Sequence, residues 1–329
     1  MANMAEAPER RPSLIPARAD GWTALSTLST VVVVIALFLF FGLTSERFFL
    51  PQNLLNILKQ MSIVGILGIG MTVVILVGGI DLSVGSVVLL SSAVTALLLD
   101  SYDVAPVPAI GAGLVIGALV GLVNGVLVEV AGISPVIATL GTLIAVRGLG
   151  QILIENTYIW VTDPLFVDIA SDTIAFLPIM AVIMLVLYVV FAIVLKQTVF
   201  GRYVYAIGGN PIAARLSGVP LLRVKILAYV LSGLLAAVAG MLTAATVGVV
   251  GPNAGAGMEF NAIAAVVLGG ARLSGGVGRV EKTLLGTAIF TMVLNYLTLS
   301  GVTAIWQQTV TGFLVLGAVL LERFVQRGK

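Results

Sequence analysis

The stretch VILVGGIDLSVGSVVLL, Val74 to Leu90, sets an aspartate between a glycine pair and a serine inside an otherwise apolar run. A carboxylate in hydrocarbon costs about 3 kcal/mol on insertion scales, so Asp81 must find partners or mark a break. Gly78 and Gly79 permit a sharp turn, and Asp81 or Ser83 can cap the amide groups that open the next helix. On either side, the runs near 54–78 and 82–99 are of membrane-spanning length. The turn therefore joins two membrane helices, and the fold reading spreads outward from it.

Composition agrees. Of 329 residues, 59% are hydrophobic and only 10% charged, against roughly a quarter charged in ordinary soluble domains. A β-barrel needs segments of alternating polarity, and these runs do not alternate. The predicted fold class is all-α: a polytopic integral membrane bundle of about ten transmembrane helices, some short or broken, with both termini cytoplasmic. The spans are placed near 22–43, 54–78, 82–99, 107–129, 135–154, 174–195, 224–248, 259–275, 283–300 and 303–322. The third, eighth and ninth are short and glycine-rich, which predicts partly broken helices. Residues 1–20 are proline-bearing and charged and are expected to form a disordered cytoplasmic tail, leaving 21–329 as the membrane domain. The first apolar run lacks a small-residue cleavage pattern and is predicted to stay as an anchor.

Charge sets the orientation, because cytoplasmic loops collect Lys and Arg. With the amino terminus inside, that side holds Arg10, Arg11, Arg18, Lys196, Arg202, Arg215, Arg223, Lys225, Arg272, Arg279, Lys282, Arg323, Arg327 and Lys329. Glu46, Asp100, Asp103, Glu155, Asp163, Asp168, Asp172 and Glu259 fall outside. Only an even number of crossings keeps this division clean.

The chain has no Cys and no His, which removes thiol and imidazole chemistry and the usual zinc and haem ligands. Neither a cofactor nor a metal is expected, nor is nucleic acid a partner. Gly113, Gly117, Gly121 and Gly125 recur every four residues, a smooth strip for close helix packing. Asn124 beside it either bridges helices through a hydrogen bond or lines a polar pathway. The basic segment 196–223 contains GGNPIAARLSGVP, in which Asn210 suits a cap, Pro211 a first helical position and Gly218 a terminator. A short rigid helix between two spans is suited to docking another protein.

The set GGIDLSVG, GISPVIATLGTLIAVRGL, TVFGRYVYAIGGN, AARLSGV, AIAAVVLGGARLSGG and WQQ, in this order, resembles the membrane subunit of ribose-type sugar ABC importers. The likeness runs from about Phe48 to Glu322. It implies a multi-pass permease of the bacterial inner membrane. The implied partners are a cytoplasmic ABC ATPase, a periplasmic sugar-binding protein and a second permease copy, identical or not. The chain itself contains no G-x-x-x-x-G-K-[ST] phosphate loop, so ATP hydrolysis would lie on the ATPase and this chain would not be an enzyme. IAARLSG is similar to the E-A-A-x-x-x-G motif by which importer permeases engage their ATPases: Ala213, Ala214 and Gly218 match, and Ile212 replaces the glutamate. With Asn210 and Arg215, these residues form the predicted coupling site.

Glu281 and Lys282 depart from the small or apolar residues usual in that family, and are expected to reach water at the cytoplasmic boundary, as a surface ion pair, an ATPase contact or a feature that tunes the substrate subfamily. VGGIDLSVG also parallels LGGARLSGG at 268–276, with Gly269, Gly270 and Arg272 facing Gly78, Gly79 and Asp81 in the alignment. Two readings of Asp81 stay open: a helix cap, or an ion pair with Arg272 at an inner gate. A neutral sugar needs amide, hydroxyl and aromatic partners, for which Asn124, Asn295, Trp306, Gln307 and Gln308 are the candidates. Trp306 also suits an interfacial anchor. The competing functions are a branched-chain amino-acid permease of similar architecture and an ion-coupled secondary carrier, for which intramembrane ionisable groups are few.

Overall fold

A computed structural model describes residues 19–327, with side chains over 28–320 except 318. The expected tail up to residue 18 and Lys329 lie outside the described residues. Thirteen α-helices are described: α1 (Ala19–Thr44), α2 (Pro51–Leu76), α3 (Val84–Ala96, running into a π turn over Leu97–Ser101), α4 (Pro106–Glu129), α5 (Pro135–Leu153), α6 (Pro164–Ser171), α7 (Ile179–Gln197), α8 (Val199–Gly209), α9 (Pro211–Leu216), α10 (Leu221–Val247), α11 (Met258–Leu268), α12 (Val280–Leu299) and α13 (Ala304–Arg327). Two-residue strands β1 (Ile159–Trp160) and β4 (Val249–Val250) pair antiparallel, as do β2 (Thr173–Ile174) and β3 (Leu177–Pro178).

Each of the ten predicted segments falls on a helix. Among the described residues, seven helical segments are long and apolar enough to cross a membrane: α2, α3 with its π turn, α4, α5, α7, α10 and α12. Leu28–Thr44 of α1 and Met258–Leu268 of α11 are apolar but shorter. The predicted segment 259–275 is helical only to Leu268, because a glycine turn ends it. By contrast α12 is continuous over 20 residues, so the break foreseen in the ninth segment lies ahead of it, in 269–279.

Proline and glycine account for most of the boundaries. Pro51, Pro106, Pro135, Pro164 and Pro211 each stand at a helix start, where a missing amide hydrogen costs nothing. At the other end, α2 and α11 stop in the same hydrogen-bonded cap. Gly78 at φ +81° donates its amide to Ile75 O and Gly79 to Val74 O; Gly270 at φ +82° donates to Val267 O and Ala271 to Val266 O.

The core follows the central helices α2 and α10. Residues 65–76 of α2 are continuously buried, against α7, α10, α11 and α12. The windows of α4 and α5 are only 33% and 28% buried, which places these helices at the periphery. On α5 only Ala138, Thr139, Thr142, Val146 and Gly150 turn inward, while Ile137, Leu140 and Ile144 are exposed apolar groups suited to lipid or another chain. The glycine strip of α4 faces α10: a Cβ at Gly117 would lie 2.3 Å from Gly233 O, and one at Gly121 2.3 Å from Tyr229 O.

Segment 196–223 is more ordered than a basic loop. α8 occupies its first half, turning Gly201, Val204 and Ile207 inward, and α9 its second.

Candidate functional site

Asp81 is fully buried in the turn between α2 and α3. Its Oδ1 accepts the Ser83 amide at 3.0 Å, the Ser83 hydroxyl at 2.6 Å and the Asn124 amide at 3.4 Å, while Oδ2 accepts the Ser232 hydroxyl at 2.8 Å. Asn124 Nδ2 also donates to Ser83 Oγ at 2.7 Å, and its Oδ1 accepts the Thr142 hydroxyl at 2.6 Å. Thr139, one turn before Thr142, donates to Ile80 O at 3.2 Å. The network thus ties α4, α5 and α10 to one turn. Four donors on two carboxylate oxygens offset the desolvation that burial imposes.

No side chain caps the amides that open α3, and the geometry matches neither reading of Asp81 in full. Its carboxylate binds the amide of Ser83, one residue before α3 begins, and Ser83 spends its own hydroxyl on Asp81 rather than capping the helix. Ion pairs join Lys196 to Glu281 and Lys225 to Glu129, whereas Asp81 is not paired with Arg272. Hydrogen bonds already occupy the carboxylate. Arg272 is half-buried in the 269–279 turn, where its amide donates to Val277 O at 2.8 Å.

The remaining polar candidates do not gather in one place. Asn295 is buried on α12 and exchanges two hydrogen bonds with Asn53 of α2, at 3.1 and 2.9 Å. Gln307 donates to Thr298 Oγ1 at 3.1 Å and Val302 O at 2.8 Å, pinning the start of α13 to the end of α12. Trp306 and Gln308 are exposed. An apolar cavity of about 150 Å³ lies between α4, α6, α7 and α10, lined by Ile110, Leu114, Phe166 and Met241 among others, and touches none of the candidates.

At the basic end of the bundle, α9 stands out from the surface. Asn210 Oδ1 accepts the amides of Ile212 and Ala213 at 3.1 and 3.0 Å, and Gly218 at φ +80° ends the helix. Ala214 is buried, whereas Ile212 and Leu216 are 73% and 84% exposed and Ala213 and Arg215 also face outward. Two bare aliphatic side chains on a capped, six-residue helix offer a contact surface. Glu281, at the start of α12, pairs with Lys196 at the end of α7, both partly exposed, a contact of small energetic weight.

Several residues of the two networks carry no local sequence signal. Ser232, Thr139, Thr142 and Asn53 complete the two networks, and Thr283, Thr287 and Thr291 form a buried stripe on α12 in which Thr283 meets Thr72 at 2.8 Å. The four-residue spacing of those threonines is the one signal that marks a shared helix face. Lys225–Glu129 at 2.9 Å ties α10 to the end of α4.

A family model described as branched-chain amino acid transport system / permease component matches residues 53–319. The chain is 41% identical to the ribose import permease protein RbsC of Bacillus subtilis (strain 168) over 284 residues, 86% of this chain and 88% of that one. It is 38% identical to the RbsC of Escherichia coli (strain K12), covering 89% and 92%. The L-arabinose ABC transporter permease protein AraH of Azospirillum brasilense is 35% identical, covering 96% and 94%. No solved structure matches the chain.

Proposed function

We propose that this chain, which belongs to the family described as branched-chain amino acid transport system / permease component, is the membrane subunit of an ATP-driven importer for a monosaccharide or similar polyol. The observation that carries the reading is similarity at 35–41% identity, over most of both chains, to permeases named for ribose and L-arabinose. The membrane is the bacterial inner membrane, crossed several times. The finer reading is ten crossings, with α1, α11 and α13 added to the seven long apolar segments and both termini in the cytoplasm. The basic residues gathered around α8, α9 and the 269–279 turn support that orientation.

In this reading the energy comes from a separate cytoplasmic ATPase, solute is delivered by a periplasmic binding protein, and a second permease copy completes the pathway. The exposed face of α9 receives the ATPase, with Ala213, Arg215 and Gly218 at the contact and Asn210 fixing the helix. Binding of ATP drives the change only if α9 holds its partner differently in the two states. The polar exposed residues Trp306 and Gln308 are the candidates for solute contact. Asn124 and Asn295, both buried in hydrogen bonds, take a supporting role in the described conformation.

The family description keeps a branched-chain amino acid cargo as the second reading. Proteoliposomes holding this chain with its ATPase and binding protein decide between them. D-ribose or L-arabinose is expected to accumulate only when all three proteins and ATP are present. Preferential accumulation of leucine would favour the second reading, and accumulation driven by a proton gradient without the ATPase would overturn both.

A further inference from the structure

Three segments distant in sequence meet at the basic end with no side chain between them. The first is the end of α2, where Leu76 O accepts the Gly276 amide at 3.0 Å. The second is the 269–279 turn, where a Cβ at Gly275 would lie 3.1 Å from both the amide nitrogen and Cα of Gly78. The third is α8. A Cβ on Gly208 would lie 1.9 Å from Leu76 O and 2.3 Å from the Gly276 nitrogen, and one on Gly276 would lie 2.7 Å from Gly208 C. Tyr205, one turn earlier on α8, donates its hydroxyl to Gly278 O at 3.0 Å. The next residue, Gly209, has nothing within 4 Å of its Cβ position.

The connections on either side give this contact its meaning. α8 is joined to α9 by the single extended residue Asn210, whose side chain caps α9, so the two short helices are tied at one joint. From Gly78 the chain reaches Asp81 in three residues, and Asp81 holds α4 and α10 directly and α5 through Asn124. Flexible side chains absorb small displacements by changing rotamer, whereas backbones in direct contact do not.

We propose that Gly208 is a positioning residue for coupling: its backbone contact delivers movement of α9 to the paired turns that end α2 and α11, and through the Asp81 turn to α5. This rests on the reading of α9 as the ATPase contact. A methyl group at 208 separates α8 from Leu76 and Gly276 and leaves α9 itself, with its cap and exposed face, unchanged.

The test compares Gly208→Ala with Gly209→Ala in the complete transporter reconstituted with its ATPase and binding protein. ATPase association, ATP hydrolysis and D-ribose or L-arabinose uptake are each measured. Gly208→Ala is expected to retain the ATPase and hydrolyse ATP while uptake per ATP falls about tenfold, within the range that coupling residues command. Gly209→Ala is expected to behave as the unaltered protein. Equal uptake per ATP in the two variants, or a proportional fall of all three quantities in Gly208→Ala, overturns the inference and leaves the proposed function standing. Failure of the unaltered transporter to bind the ATPase would instead remove the proposed function. Should Gly208→Ala not accumulate, hydrogen exchange on the unaltered transporter decides: ATP with orthovanadate is expected to change protection of 76–83 and 270–278 together with 205–218. A change confined to 205–218 contradicts the proposal.

Discussion

Replacing Asp81 with leucine is expected to abolish solute uptake and to leave little folded protein in the membrane. The substitution removes a costly charge, so a simple hydropathy argument predicts a gain. The hydrogen bonds predict the reverse. Without the carboxylate, the Ser83 amide, the Ser83 and Ser232 hydroxyls and one Asn124 N–H lose their acceptor inside a fully buried turn. Each orphaned buried group costs about 1–3 kcal/mol, so the total is on the order of 4 kcal/mol or more, allowing for some re-pairing. Against the marginal stability of folded proteins that is a large share. Asp81→Asn keeps Oδ1 as acceptor for three of the donors and turns an NH2 group toward the Ser232 hydroxyl, which can rotate to accept, and is expected to fall between. The thermal midpoint of detergent-purified protein checks the series: Asp81→Leu should lie at least roughly 8 °C below the unaltered protein. A midpoint equal to the unaltered one would show that the network contributes little.

The second large effect is expected at Gly117. Leucine there must push α4 away from α10, because even its Cβ would meet Gly233 O at 2.3 Å and Ala237 Cβ at 2.7 Å. The approach is reciprocal: a Cβ on Gly233 would lie 2.1 Å from Gly117 O. Close backbone contact through small residues is a main source of attraction between helices in lipid, where burial of apolar surface contributes little. Gly111 on the same helix supplies the control, since nothing lies within 4 Å of its Cβ position. Gly117→Leu should lower the yield of monodisperse protein roughly tenfold while Gly111→Leu changes it less than about twofold, the contrast that close-packed interfaces produce. Similar losses from both would mean that the glycine strip is not a packing surface.

These cases also show what the sequence could reveal. Helix positions were legible because spans are long apolar runs punctuated by proline and glycine, and Asp81 was conspicuous because a carboxylate in such a run needs a reason. Its partners were not legible. Ser232 lies 151 residues away and Asn53 lies 242 from Asn295, and nothing local ties such residues together. The parallel between VGGIDLSVG and LGGARLSGG pointed to Arg272 as a counterpart of Asp81. The actual correspondence is in the backbone: both turns end a helix with the same cap, but at Gly78 in one and Gly270 in the other, one residue out of the aligned register. α8 was hidden because its inward positions Gly201, Val204 and Ile207 alternate with Arg202, Tyr203 and Tyr205, so it reads as a basic loop. The candidate docking helix was legible because proline, asparagine and glycine specify its ends directly.

The claim on which the account turns is that α9 faces the cytoplasm and is gripped there by a separate motor. The chain has no cysteine, so Arg215→Cys introduces a unique thiol on the exposed face of α9. A membrane-impermeant maleimide should leave this thiol unlabelled in intact cells, label it in inside-out vesicles, and lose access when the ATPase is bound. Labelling of intact cells from outside, or undiminished labelling in the presence of bound ATPase, would contradict the account.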